Sequence, residues 1–250
     1  MLRVNSTEIQ NNFGKYLLLA QKEDIIITRN GQDVACLVNI QDAKARSGYV
    51  AEEVISGGYG LRKATYEEFL EFTRDTEDRY EYIDGEIFLQ ASPKTDHQLA
   101  QAELFGAFYH TFSETDCTPF VAPYDITIRR SEDNINVVQP DLMVICDLEE
   151  KLGDDGYYKG VPVLVVEILS PTTRRLDLLK KLNLYMNGGV HEYWIVDPEN
   201  KDITLFTFKN GDISDRFTFK APEKARSVTF PHLVVDLVKV FRLVSPGLAL

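Results

Sequence analysis

Cysteine, tryptophan, methionine and histidine are all scarce in this chain: three, one, three and four among 250 residues. Cys36, Cys117 and Cys146 are far apart, odd in number and lack zinc-ligand spacing. A zinc-finger class is thereby excluded, and the three are expected to be small core residues of a reduced, cytoplasmic protein. His110, His191 and His232 form no metal-binding spacing either. No apolar run is long enough to span a membrane. The start, Met1-Leu2-Arg3-Val4-Asn5-Ser6, turns polar at once, so no secretory signal is expected. Internal repeats and low-complexity tracts are absent. An aromatic platform beside an acid pair is lacking as well, which argues against a glycosidase.

Positive charge is also in deficit. The net charge is −12, which argues against a passive nucleic-acid coat, because such binding rests on broad phosphate neutralisation. A nuclease is compatible with it, since a metal site needs acids and only a local basic strip. Residues 1–48 carry six Lys/Arg against five Asp/Glu. Almost all the negative charge therefore lies beyond them, which suggests two domains. Apolar and charged fractions of 44% and 26% are those of an ordinary globular protein.

The order of elements supports that division. Residues 2–5 read as a strand. Thr7 and Gln10 read as a capping box for a helix carrying Ile9, Phe13, Tyr16, Leu17 and Ala20. Two β-rich runs, 24–29 and 32–38, flank Asn30-Gly31, a hairpin signal. A short helix is expected from Gln41. So small a β-α-β-β-α unit, residues 1–45, buries little core and is expected to dimerise. Residues 46–63 read as a linker. In residues 64–250, Thr65 and Glu68 form a capping box, and Asp84-Gly85 joins strands 79–83 and 86–90. Hairpin pairing puts Glu81 and Glu86 on one face of that ribbon. A helix over 96–112 is followed by strands 122–129, 141–146 and 163–169. A helix over 172–187 then stops at Gly188-Gly189, and strands 192–196, 203–208 and 217–219 complete an α/β (α+β) core.

The most informative residue is Glu167. It interrupts Val163-Leu164-Val165-Val166 and Ile168-Leu169, which read as a fully buried strand. An unpaired carboxylate there costs several kcal/mol, a cost that a cation offsets. Asp141 opens another buried strand after Pro140, about two dozen residues earlier. Asp177, Lys181 and Tyr185 recur at i, i+4 and i+8 on the following helix. Two carboxylates and a lysine are the groups that metal-assisted phosphodiester hydrolysis requires. Singly, each has a plainer reading: a strand-start residue, a structural hydrogen bond, a surface ion pair. Glu86 and His97 are accessory candidates. Arg174, Arg175 and Lys180, with Lys181, form the densest basic cluster and are candidate phosphate contacts.

These residues carry a family resemblance. Residues 65–245 resemble the Uma-two family of restriction-endonuclease-like proteins. The carriers are Arg79 through Glu86, His97-Gln98, Pro140-Asp141-Leu142, Val166 through Thr173, Asp177 to Lys181 to Tyr185, and Gly189 through Pro198. The resemblance implies a PD-(D/E)XK fold, Mg²⁺ (or Mn²⁺) dependence and DNA as substrate. Asp141 and Glu167 would be metal ligands and Glu86 an accessory acid. Leu169 stands where that signature has its lysine, so Lys181 would be the migrated lysine. Residues 1–45 resemble the Phd/YefM antitoxin N-terminal domain. Its carriers are Val4-Asn5-Ser6, Phe13 through Leu17, Ile26 through Gly31 and Val34 through Val38. That resemblance implies a dimeric operator-binding unit; the segment with which the family wraps a toxin partner is replaced here by residues 46–63 and a second domain. The alternative to an endonuclease is a non-catalytic DNA-binding regulator of toxin-antitoxin type.

Overall fold

The computed structural model describes residues 2–11, 16, 19–20, 23–29, 31–37, 62–90, 92–170 and 176–242. The chain divides into two compact units, Met1–Gly57 and Gly58–Leu250.

In the first unit, β1 (Leu2–Asn5) leads into α1 (Ser6–Asn11), and β2 (Ile25–Arg29) and β3 (Gln32–Leu37) follow. Strand β1 pairs parallel with β2, and β2 antiparallel with β3. Val4, Ile9, Tyr16, Ala20 and Ile25 form the small core. The helix begins earlier than expected: Asn5 Oδ1 accepts the Thr7 N–H at 2.9 Å, so asparagine, an equally good cap, replaces Thr7. The helix expected from Gln41, and residues 46–61 of the expected linker, lie outside the described residues. Arg62 and Lys63, expected to close that linker, instead form a strand.

The second unit runs β4 (Arg62–Lys63), α2 (Tyr66–Thr73), β5 (Tyr80–Ile83), β6 (Glu86–Leu89), α3 (Thr95–Phe112), β7 (Thr118–Val121), β8 (Ile126–Arg129), β9 (Ile135–Val138), β10 (Leu142–Ile145), α4 (Leu148–Lys151) and β11 (Leu164–Ile168). A π-helical segment, Leu176–Lys181, then runs into α5 (Leu182–Asn187). It is followed by β12 (Glu192–Asp197), β13 (Asp202–Lys209), β14 (Asp212–Lys220), β15 (Lys224–Arg226), β16 (Val234–Asp236) and α6 (Leu237–Val240). Two larger sheets result, ordered β14-β13-β12-β11-β10-β7 and β4-β6-β5-β9-β8.

The six-stranded sheet is covered on both faces. Leu142, Val144, Leu164, Val166, Ile168 and Trp194 face α3, through Ala100, Leu104, Phe108 and Phe112. Alternation sends the remaining side chains the other way. Met143, Ile145, Val165 and Ile195 meet Ile83, Phe88, Ile128 and Val138 of the five-stranded sheet, together with Leu176, Leu184 and Tyr185. Burial on both faces is what makes β11 a continuous apolar run, and Glu167 belongs to the face that looks toward the second sheet.

Several expectations need correction. Of the single strand expected over 122–129, only Ile126–Arg129 is a strand, β8, and β7, which precedes it and lies in the other sheet, was not expected. They part at Pro123, which has no N–H for a ladder. Strand β9 was not expected, and the strand expected over 217–219 is the end of the longer β14. Cys117 and Cys146 are not separate reduced core thiols: they form a disulfide. Cys36 is exposed. The capping box at Thr65 and Glu68 is present, with both reciprocal bonds. Asp84 and Gly85 take φ of 53° and 75°, the left-handed pair that a type I′ hairpin requires.

Candidate active site

Asp141 ends the segment after Pro140, immediately before β10. Leu142 pairs with Val166 across the antiparallel ladder. One further register step sets Asp141 opposite Glu167, the position of cross-strand neighbours. Asp141 Oδ2 accepts the Ile168 N–H at 2.7 Å and lies 3.2 Å from His97 Nε2. Its carbonyl accepts the Gln101 amide at 2.7 Å. Two residues at the start of α3 thus clamp the acid to the sheet.

Glu167 is 3% exposed. Its Oε1 accepts the Tyr185 hydroxyl at 2.6 Å and the Lys181 ammonium at 3.0 Å. Lys181 is equally buried and sits among three carboxylates: Glu81 at 2.9 Å, Glu167 at 3.0 Å and Asp177 at 3.5 Å. The π-helical segment carries Asp177, Lys180 and Lys181. Such wide turns recur at functional sites, and this one brings the i and i+4 side chains of Asp177 and Lys181 together. Tyr193 Oη donates to the Asp177 carbonyl at 3.1 Å, tying the segment to β12.

A pocket of about 430 Å³ opens over these groups, lined by Asp141, Glu167, Asp177, Lys181, His97 and Gln139 among others. Of the expected residues, Asp141, Glu167, Lys181, His97, Asp177 and Tyr185 converge here. Glu86 and Lys180 pair with each other at 2.5 Å instead, and the Lys180 ammonium lies 5.0 Å from the Phe88 ring centroid. Arg174 and Arg175 lie outside the described residues.

Glu81 was not singled out as a site residue, yet it is fully buried beside Lys181. Its Oε1 also accepts the Gln139 N–H at 2.9 Å, while Oε2 has no hydrogen-bond partner. The signal was present, because hairpin parity places Glu81 and Glu86 on one face. Depth alone separates them, and depth is a tertiary property. Glu192 is a useful contrast. It too is a buried acid in an apolar strand, but Trp194, Ser227, Val228 and Thr229 all donate to it. That carboxylate is satisfied by its own fold.

Three acids therefore surround one buried lysine, with Asp141 opposite Glu167 as a fourth nearby, and the charges do not balance. Burial pushes the Glu167 carboxyl well above its ordinary range; Lys181 pulls it down, while Asp177, Asp141 and Glu81 raise it further. For Lys181, burial acts downward, but Glu167, Glu81 and Asp177 outweigh it and hold the ammonium well above its usual value. Lys181 thus stays charged and is no base. Burial lowers His97, yet its bond to Asp141 and the charges of Asp141, Asp177 and Asp96 leave it raised.

Among the described residues, no three His, Cys, Asp or Glu side chains form a metal-holding group. The donor set that does exist, Asp141 and Glu167, fits Mg²⁺, which is held through one or two carboxylates and retains water ligands. The surplus buried negative charge and the partnerless Glu81 oxygen fit a nearby cation as well.

Residues 66–238 match the Uma2 (Uma-two) family, described as "Putative restriction endonuclease". Residues 1–54 match the family described as "Antitoxin Phd_YefM, type II toxin-antitoxin system". The uncharacterized protein slr1290 of Synechocystis sp. (strain ATCC 27184 / PCC 6803 / Kazusa) is 28% identical over 151 residues, covering 60% of this chain and 76% of the relative. A crystal structure from Anabaena variabilis ATCC 29413, titled as a "putative nuclease belonging to DUF820", superposes with a TM-score of 0.57 at 21% identity. It covers 71% of this chain and 97% of that one, so the two share a fold. With the family match spanning more than half of its length, the chain belongs to the Uma2 family of restriction-endonuclease-like proteins and carries a Phd/YefM antitoxin-like segment at its N-terminus.

Proposed function

We propose that this protein is a Mg²⁺-dependent DNA endonuclease, with Mn²⁺ able to substitute. Its antitoxin-like unit (residues 1–45, joined by 46–63 to residues 64–250) would dimerise it, help it dock on DNA and offer a surface to a toxin partner. Family membership supports the coarser, nuclease-like reading. The observation that carries the finer one is the apposition of Asp141 and Glu167 at the pocket floor, beside a lysine that stays charged. A bound Mg²⁺ would supply a Lewis acid that acidifies water and neutralises phosphate charge. The chain's own contribution is positional. Asp141 and Glu167 would hold the ion, and His97 and the Ile168 N–H orient Asp141. Lys181 and Tyr185 orient Glu167, and the Lys181 charge would steady the phosphate.

Supercoiled plasmid incubated with Mg²⁺ provides the test. Wild type should nick and linearise it, EDTA should stop the cutting, and Glu167→Ala should lower the rate by at least about 100-fold, as loss of a metal centre's contribution requires. Equal cutting by both proteins, or none by wild type on many DNAs, would sink the proposal. The match of residues 1–54 supports a second reading, a DNA-binding regulator whose larger unit is a scaffold. Tight binding to its own promoter, without Mg²⁺ uptake or cutting, would favour it.

A further inference from the structure

A second pocket, of about 400 Å³, adjoins the first; Arg79 and Gln139 line both. Arg79 directly precedes β5 and Gln139 directly follows β9. These strands are antiparallel neighbours, with Tyr82 opposite Val137. The two residues therefore sit at the same end of the five-stranded sheet, where the chain passes on to Asp141. The second pocket has an aromatic character that the first lacks: Tyr66, Tyr80 and Tyr157 line it. Tyr157 is 55% exposed, and the Lys159 ammonium lies 5.6 Å from its ring centroid.

At the junction, Gln139 Nε2 donates to Asp125 Oδ1 at 2.7 Å. Gln139 Oε1 is buried and has no hydrogen-bond partner. Fixing the amide in this way leaves a buried acceptor beside the junction of the two pockets, and an orphaned acceptor is stabilised when something donates to it. Tyrosine rings at a pocket shared with Arg79, the Lys159 ammonium over Tyr157 being paired to Asp155, offer what a nucleobase recognises: a π-face to stack on, with a cation near the phosphate beside it.

We infer that this pocket is a subsite for an unpaired base of the DNA strand whose scissile phosphate lies over Asp141 and Glu167, with Arg79 beside the intervening backbone. This inference rests on the nuclease reading of the first pocket and adds a substrate class to it. A base inside a duplex is stacked on both faces and paired at its edge, so it cannot enter a pocket without leaving the helix. The substrate is accordingly single-stranded or locally unpaired DNA, such as an overhang, a flap or a bulge.

The test uses the full chain carrying Glu167→Gln, so that cutting does not interfere. Fluorescence anisotropy measures its binding to a short fluorescein-labelled single strand, to the matching duplex, and to a strand with abasic sites. The single strand should bind about tenfold tighter than the abasic strand, and more tightly than the duplex. Adding Tyr157→Ala should weaken single-strand binding by about tenfold, whereas Tyr157→Phe, which keeps the ring, should not. Equal affinity for normal and abasic strands, or unchanged affinity on Tyr157→Ala, overturns the subsite. Contact through the N-terminal unit would be insensitive to both changes. Plasmid cutting by wild type together with a silent Tyr157→Ala removes the subsite and leaves the nuclease. Base-dependent binding without any cutting keeps the subsite and removes the nuclease.

Discussion

Burial works against the charge of Glu167, while Lys181 and Tyr185 work for it. Its folded-state carboxyl lies above the ordinary value. Whatever stability it contributes is therefore present below that ordinary value and is lost as pH rises through the raised one. At neutral pH without a cation, the ionised form is a cost. Glu167→Gln keeps the contacts with Tyr185 and Lys181 and removes the charge. Urea unfolding in EDTA should find this variant at least as stable as wild type at neutral pH, with the difference vanishing in acid. A loss of about 3–5 kcal/mol, typical of a broken buried pair, would instead mark Glu167 as structural. Glu81 tests the same network from its second carboxylate. Glu81→Gln should leave the protein folded while weakening Mg²⁺ affinity or cutting by about 10–100-fold, the usual effect of an outer-shell partner. Isothermal titration with Mg²⁺ separates the two, and an unchanged affinity and rate would remove Glu81 from the site. Asp141 and Glu167 were readable in the sequence because acids are anomalous in buried strands. Glu81 was not, because a glutamate near a hairpin turn looks like any solvated one.

The elements that position the site differ in how openly their residues announce them. The box around Thr65 and Glu68 acts within one helical turn and is legible without any tertiary information. Thr65→Ala should cost about 1 kcal/mol of stability, measured as a lowered urea midpoint with an unchanged slope. An unaffected midpoint would mean that packing of Phe69, not the cap, holds α2 in place. The Asp84-Gly85 turn is equally local, since both residues accept positive φ. The strand expected over 122–129 begins four residues before β8 because the run is β-rich throughout, and only the sheets show that Thr118–Val121 and Ile126–Arg129 are separate strands. The π-helical segment is a further case. Its residues suit an α-helix, and the wider turn goes with the burial of Asp177 and Lys181 between the sheets.

Taken as a whole, the larger unit is a six-stranded sheet with α3 on one face and a second sheet with α5 on the other. Cys117, ahead of β7, is joined to Cys146, at the end of β10. A bridge spanning 29 residues of sequence stabilises by about 3–4 kcal/mol in the chain-entropy treatment. Reduction should lower the unfolding temperature accordingly, and intact-mass analysis after alkylation should label one thiol before reduction and three after. Labelling of all three in the untreated protein would refute the bridge. The division into two units, the membership of the Uma2 family and the antitoxin-like match of residues 1–54 follow from local residue patterns: charge distribution, hairpin dipeptides, capping pairs and acids set in apolar runs. Those patterns act over a few residues and persist in any context. The pairing of Cys117 with Cys146, the choice of Glu81 over Glu86, and the gathering of three acids around Lys181 depend on which strands lie side by side. Residues up to 100 positions apart meet there (Glu81 and Lys181), and only a complete set of packed sheets brings them together.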